Sequence, residues 1–217
     1  MMHPVSGYII FRDAPLIELA VQSILPYVDD LYLLDRSEKE TAFPSHNHPK
    51  VRVAHRPQAG DYFGTDWKET DWRNKCINAK CQHDWVLAID ADEVLDDLPH
   101  DTFRNCEETL KFQTLNLYDL NHYVVKNNSA ANYNWWPDWH VRFWDRRVFN
   151  YNESELHCNL VNKAGENAVP LSKDIGLAIW HLHVYARPDR RAFFLNRPEV
   201  LELADITGPK PKLLSRL

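Results

Sequence analysis

Apolar residues in the first part of the chain fall into short unbroken runs separated by polar stretches marked with Pro and Asp. Val5 to Phe11 is the first run, and beyond Arg12-Asp13-Ala14-Pro15 the positions Leu16, Leu19, Ala20 and Ile24 recur at helical spacing as far as Pro26. Asp13 is placed to cap that helix and Pro15 to occupy its first position. Asp30 to Asp35 is a second run, so the opening reads as strand, helix, strand, the unit from which parallel sheets are built. After a polar, Pro-punctuated segment, Val51 to His55 supplies a short third strand. A loop over Pro57 to Asp66 follows, then a helix from about Thr70 to Cys81 with Trp72, Cys76, Ile77 and Ala79 toward the sheet. Trp85-Val86-Leu87-Ala88-Ile89 is apolar throughout, as expected of a strand covered on both faces. Alternation of helix and strand is expected to continue through Thr102 to Leu110 and Lys111 to Leu120. The fold class that follows is α/β: a mostly parallel, Rossmann-like central sheet flanked by helices.

Beyond Asn121 the texture changes. Asn, Trp and His become dense, strands are expected at Val141 to Trp144 and Ile175 to Tyr185, and Pro188 to Ala204 reads as a terminal helix. Residues 1–207 therefore read as a single domain, 1–120 forming a regular half and 121–207 an irregular one. Gly208-Pro209-Lys210-Pro211-Lys212 reads as the start of a linker or tail over 208–217, as in a chain cut from a longer protein.

The strongest chemical signal stands at the end of the fourth strand. Asp90-Ala91-Asp92-Glu93 sets three carboxylates where parallel sheets bind their ligands. Crowded acids repel one another and resist desolvation unless a cation or hydrogen-bond donors compensate. A divalent ion is the simplest compensation, and oxygen ligands suit Mg2+ or Mn2+, ions that usually accompany a phosphate-bearing substrate. The bland alternative is an acidic helix start after a core strand.

Composition narrows the classes. With 217 residues and 44% hydrophobic content the chain can bury a full core. Its net charge of -6, without a dense Lys/Arg block, argues against nucleic acid as a partner. No apolar run approaches the roughly 18 residues of a membrane span, and the N-terminus lacks a signal-peptide layout, so a soluble, cytoplasmic protein is expected. The four cysteines, Cys76, Cys81, Cys106 and Cys158, contain no CxxC pair and read as reduced thiols. A zinc site from Cys76, Cys81 and His83 lacks a fourth ligand and is set aside.

Several separated segments resemble the nucleotide-sugar glycosyltransferases of GT-A fold, above all the family 2-like enzymes. Tyr8 to Asp13 looks like that family's first strand and charged exit, and Pro26 to Asp35 like its second strand ending in a nucleotide-binding acid. Trp72-Arg73-Asn74-Lys75 followed by Asp84 to Glu93 is similar to its Arg-Asn helix and DxD strand end. Arg142-Phe143-Trp144, His157 and His181 to Tyr185 extend the match weakly into the second half. His157-Cys158 departs from the family's frequent His-Glu, and the usual acidic pair for the acceptor base is not evident. The resemblance implies a metal-dependent hexosyltransferase, inverting in outcome, with a UDP-sugar donor, a glycan or glycoprotein acceptor, and 121–207 as the acceptor half. It maps Asp92 to the direct metal ligand and Asp90 nearer the ribose, with Asp90 also a candidate to share the ion.

The residues themselves suggest further roles. His181 or His183 can complete the coordination of the ion, and structural histidines are the competing reading. Asp35 can accept from uracil or ribose, or be a turn acid; Arg73 can meet the base or diphosphate, or form a surface salt bridge. Arg12 lies at the first strand's exit and is placed to line the nucleotide pocket. Tyr133 to His140, with Trp135, Trp136 and Trp139, has the composition of a sugar-stacking platform, although tryptophans are as often core. Within it Asp138 is a candidate base for the acceptor hydroxyl, with Glu153 and Glu155 as competitors. Two rival classes remain: a haloacid-dehalogenase-like phosphatase using Asp90 as nucleophile and Asp92 as general acid, and a noncatalytic sugar-binding module. The phosphatase pattern belongs close to the N-terminus, whereas three strands precede it here, and the sugar-binding module leaves the acid cluster unexplained.

Overall fold

The computed structural model describes residues 2–58, 69–125, 137–152, 159–186 and 202–217. The first four strands are β1 (Val5–Phe11), β2 (Asp30–Asp35), β3 (Val51–His55) and β4 (Trp85–Ala88). Two helices accompany them, α1 (Ile17–Ile24) after β1 and α2 (Glu69–Ala79) before β4. These strands lie in the order β3, β2, β1, β4, every neighbouring pair parallel. The chain winds outward from β1 to β3 and then returns to the other side of β1, which places a topological switch point between β1 and β4. Crevices at such points, outside the carboxyl ends of the strands, are where open α/β sheets take ligands.

The unbroken apolar runs have a simple cause. Successive residues of a strand point to opposite faces, and both faces of this sheet are buried. Val5, Ile9, Leu31, Leu33 and Leu87 join the core that holds Ile17, Ala20, Val21 and Ile24 of α1. Tyr8, Tyr32, Leu34, Val86 and Ala88 join the core that holds Cys76 and Ile77 of α2. Burial of each large aliphatic side chain contributes about 1.5–3 kcal/mol relative to exposure. Gly7 makes room for the side chains of Val28 and Leu31: a Cβ there would lie 2.8 Å from Leu31 Cδ1 and 3.1 Å from Val28 Cγ1.

The rest of the sheet comprises β5 (Glu93–Leu95), β6 (Leu110–Leu117), β7 (His122–Val125), β8 (Trp139–Asp145), β11 (Lys173–His181) and β12 (Glu202–Asp205); β9 (Phe149–Tyr151) and β10 (Leu160–Asn162) form a separate hairpin. Two single-turn helices, α3 (Ala168–Leu171) and α4 (His183–Ala186), flank β11. β8 runs antiparallel beside β4 and also pairs with β6, which carries β7 antiparallel and β11 parallel. The molecule is therefore of the expected α/β, Rossmann-like class, with helices flanking a large central sheet. Parallel pairing is concentrated in β1 to β4, and antiparallel additions prevail beyond β8.

Four local expectations differ from the structure. Asp13 does not cap α1: its φ is +47°, its own N–H donates to Ser37 Oγ, and the cap position belongs to Leu16. Ala14 and Pro15 occupy the turn between them, so the helix starts later than Pro15. No helix forms over residues 102–110; residues 101–105 are turns in which Thr102 and Asn105 bond to Pro99 and Asp101, and only Phe103 is driven into the core. The strand expected to reach Tyr185 ends at His181, because Leu182 turns the chain into α4. Of the terminal helix expected over Pro188 to Ala204, residues 188–201 lie outside the described residues, and Glu202–Asp205 is a strand paired with β7.

Within residues 208–217, expected as a linker or tail, Pro211 and Leu214 are buried, whereas 208–210 are exposed. Lys212–Arg216 forms a 3-10 turn and buries Leu214. Cys76, Cys81 and Cys106 are unpaired thiols, and burial pushes Cys76 up to about 12; Cys158 lies outside the described residues. Among the described residues, no helix is long and apolar enough to cross a membrane.

Candidate metal and nucleotide site

β4 ends at Ala88, and the acid cluster folds into a tight turn that leads at once into β5. Glu93 N–H donates to the Asp90 carbonyl at 3.1 Å, and Asp90 N–H donates to Glu93 Oε2 at 2.8 Å. This reciprocal closure sends alternate acids to different sides. Asp90 and Glu93 turn toward two guanidinium groups. Arg73, from α2, donates to Asp90 Oδ1 at 2.8 Å; Arg142, from β8, donates to Asp90 Oδ2 at 3.1 Å and also to Glu93 Oε1. Burial pushes the Asp90 carboxyl up, but Arg142 and Arg73 outweigh it and hold Asp90 well below the usual carboxylate range. For Glu93 burial prevails over the pull of Arg142, and its proton affinity is raised.

Asp92 faces the other way, toward the end of β11. Its Oδ2 lies 3.3 Å from His181 Nε2 and 4.0 Å from His183 Nε2. The two imidazoles are 4.5 Å apart between centroids. One donor atom from each of the three residues falls within a 4.8 Å group. The local cause is the reversal at Leu182: its N–H donates to the Asp92 carbonyl at 2.7 Å, and its carbonyl accepts from Tyr185 and Ala186 to open α4. His181 thus ends a strand and His183 begins a helix, so they converge through a turn rather than through the two-residue period of a strand.

His181 Nδ1 lies 2.8 Å from Asn116 Oδ1, on the neighbouring strand β6. With Nδ1 donating to that oxygen, the neutral imidazole has its Nε2 lone pair on the side of Asp92, the usual arrangement behind a ligating histidine, whereas the imidazolium donates from Nε2 to Asp92. Burial disfavours the charged imidazolium, yet the bond to Asp92 outweighs it and raises the His181 proton affinity; Asp92 is lowered by the same contact against its own burial. One carboxylate oxygen and two imidazole nitrogens are a donor set for a first-row transition ion, Mn2+ among them, and a poorer one for Mg2+, which prefers oxygen alone. Asp90, expected to share the ion, is instead tied to the two arginines.

The remaining described candidates have partners of their own. Asp35 is fully buried, and its two oxygens accept from the N–H groups of Ser37 and Thr41, so it holds the turn after β2. Arg12 lies 3.6 Å from Asp13 and close enough to Arg36 that its charge, after burial, lowers the Arg36 proton affinity. Arg36 in turn lies 4.2 Å over the Trp72 ring, with Lys75 at 4.7 Å from the same ring. Arg12, Arg36 and Lys75 therefore bring positive charge to the ends of β1 and β2, beside the carboxylates of Asp13 and Asp35. Asp138 immediately precedes β8; its carbonyl accepts from Thr114, and its Oδ1 lies 3.1 Å from His140 Nε2. Glu153, Glu155, Tyr133, Trp135 and Trp136 lie outside the described residues. Trp139 is half-buried with Lys111 5.1 Å from its ring.

Sequence reasoning gave no role to Asn116 or Arg36, and it named Glu93 and Arg142 without pairing them. For Arg142 a signal existed: an arginine within Val141-Arg142-Phe143-Trp144 is a charge inside an apolar strand, and such a charge needs a buried partner. Asn116 carried none, because its relation to His181 exists only through the β6–β11 register.

Neither a family model nor a curated protein matches the sequence. Among solved structures, a Bacillus anthracis protein assigned as a glucose-1-phosphate thymidylyltransferase, in complex with a sucrose, is similar to this chain. The likeness covers 93% of this chain and 88% of that one, at 13% identity and a TM-score of 0.33. A likeness that shallow leaves the site to be read from its own geometry.

Proposed function

We propose that this protein is a metal-dependent glycosyltransferase that moves a hexose-type sugar from a nucleoside-diphosphate donor, UDP by preference, to a hydroxyl of a glycan or glycoprotein, with inversion. The observation that carries this reading is the convergence of Asp92, His181 and His183 at the carboxyl edge of the sheet, beside Asp90 and its two arginines. In the reaction the acceptor oxygen bonds to the anomeric carbon as the bond from that carbon to the diphosphate oxygen breaks. A divalent ion, when bound, supplies Lewis-acid stabilisation to the departing diphosphate. Asp92, His181 and His183 hold the ion, Arg12, Arg36 and Arg73 add positive charge near the diphosphate, and Asp90 keeps Arg73 in place. Asp138 is the described candidate to take the acceptor proton, with Glu153 and Glu155 its competitors.

The phosphatase alternative is less well supported. A nucleophilic Asp90 would have to attack with both oxygens engaged by guanidinium groups, and a general-acid Asp92 would need a proton where the imidazole contact favours its ionised form.

A melting scan with UDP, GDP and CMP, each with and without Mn2+, tests the reading. Ligand at 100 times its Kd adds about 2.7 kcal/mol, a rise of about 5–10 °C for a domain of this size. The expected result is a rise with UDP that requires Mn2+ and is lost in Asp92→Asn. No shift with any nucleotide would refute the proposal, as would undiminished sugar transfer by Asp92→Asn.

A further inference from the structure

Leu182 connects all three members of the metal group. It is fully buried; its backbone N–H is bonded to the carbonyl of Asp92, and its covalent neighbours are His181 and His183. A shift of Leu182 therefore moves both imidazoles and loosens the bond that orients the carboxylate. Its side chain lies in a small separate core with Val94, Leu117, Trp180 and Leu214. Val94 is two residues from Asp92, Leu117 follows the His181 partner Asn116, and Trp180 precedes His181. This core is the floor of the metal group.

Leu214 alone among these five comes from outside the sheet region. It is 2% exposed and projects from the 3-10 turn Lys212–Arg216, whose Leu213 and Leu217 pack against the same core. The turn is fastened at both ends, by Lys212 N–H to Asp97 Oδ2 at 3.1 Å and by Arg216 to Gln22 on α1. Trp180 Nε1 donates to Asp96 Oδ1 at 2.5 Å and completes the frame. Leu16 and Leu19, at the start of α1, pack against the same core from the other side.

We propose that the 212–217 turn, through Leu214, is a positioning element for the metal group: it holds Leu182 so that Asp92, His181 and His183 stay in coordinating geometry. The inference rests on the metal reading above. Removing packing atoms beneath Leu182 opens a cavity that its neighbours fill only in part, and loss of the supports behind metal ligands typically weakens affinity by about 10- to 100-fold.

The test is calorimetric titration of the full chain with Mn2+ alone, well below the melting temperature. The variants are Leu214→Ala, the volume-conserving Leu214→Met, and Leu31→Ala, which opens a comparable hole in the core beneath α1. The expected result is one Mn2+ bound by the unaltered protein, affinity about tenfold weaker in Leu214→Ala, and near-original affinity in both Leu214→Met and Leu31→Ala. If Leu214→Ala does not fold, Leu214→Val takes its place, with a drop of about threefold expected. Unchanged Mn2+ affinity in the Leu214 variant, or an equal loss in Leu31→Ala, overturns the positioning role and leaves the metal site standing. Failure of the unaltered protein to bind Mn2+ overturns both.

Discussion

The two halves of this sheet are held together by different means. In β1 to β4 the strands are parallel, α1 and α2 cover one largely apolar face each, and the buried polar groups Ser6, Asp30 and Asp35 stand at or near strand ends. From β5 onward most pairings are antiparallel, and charged groups enter the interior: Arg142 and Glu93 are buried together inside a region that also holds Phe143 and Trp144. The middles of the first-half strands are specified mainly by non-directional burial, with polar pairs such as Ser6–Asp30 confined to strand ends. The second half depends on polar pairs whose geometry must be right, because a lone buried charge is far more destabilising than a lost methyl group. The candidate site lies on the seam, with Asp90 and Asp92 delivered by β4 and their partners by β8, α2 and the end of β11.

Substitution of Arg142 is expected to break this arrangement most severely. Arg142→Met leaves Glu93 buried without its partner and removes one of two donors to Asp90; a loss of about 3–5 kcal/mol is expected by urea denaturation. Next comes Gly7→Ala in the apolar half, where the added Cβ meets Leu31 and Val28; a loss of about 1–3 kcal/mol is expected by the same measurement. Gly176, in the second half, contrasts with it. Nothing surrounds its Cβ position, but its φ of +76° disfavours any side chain, so Gly176→Ala is expected to lose about 1–2 kcal/mol through backbone strain alone.

Asn74 clips the β9–β10 hairpin to α2 by bonding both the N–H and the carbonyl of Tyr151. Asn74→Ala should lose about 1–2 kcal/mol and increase amide exchange in Phe149–Tyr151 while β1 and β2 stay protected.

The smallest effect is the pH response of the metal group. His181 has a raised proton affinity in the folded protein, so its pairing with Asp92 stabilises fully below the ordinary imidazole value of 6.5 and is lost as pH rises through the higher folded value. Asp92, lowered, contributes above the ordinary 3.8 and loses that contribution as pH falls through its folded value. The metal-free protein should therefore melt at a slightly lower temperature at pH 8 than at pH 6. Mn2+ requires a neutral His181, so its stabilising increment should grow over the same interval. An increment that shrinks with rising pH would contradict His181 as a ligand.

Legibility in the sequence follows the same division. The boundaries of β2 and β3 and the position of α2 could be read from apolar runs and helical spacing, because the periodicity that marks each element is a property of its own short segment. The antiparallel register of β8 against β4, which carries Arg142 to Asp90, joins residues more than fifty positions apart, and no local pattern encodes it. The same holds for the reversal at Leu182. His181 and His183 looked like strand neighbours, and only the bond from Leu182 to the Asp92 carbonyl turns one of them into a helix start.

By itself the sequence determined an α/β chain with an acid cluster at the carboxyl edge of its fourth strand, because strand periodicity and the clustering of like charges are local properties. Tertiary structure alone decided which acid meets which partner: Asp90 is neutralised by Arg73 and Arg142, whereas Asp92 is left facing two imidazoles. The physical reason is distance. Electrostatic pairing and coordination act over a few ångströms, and which groups come that close is fixed by sheet register and by turns that join distant parts of the chain.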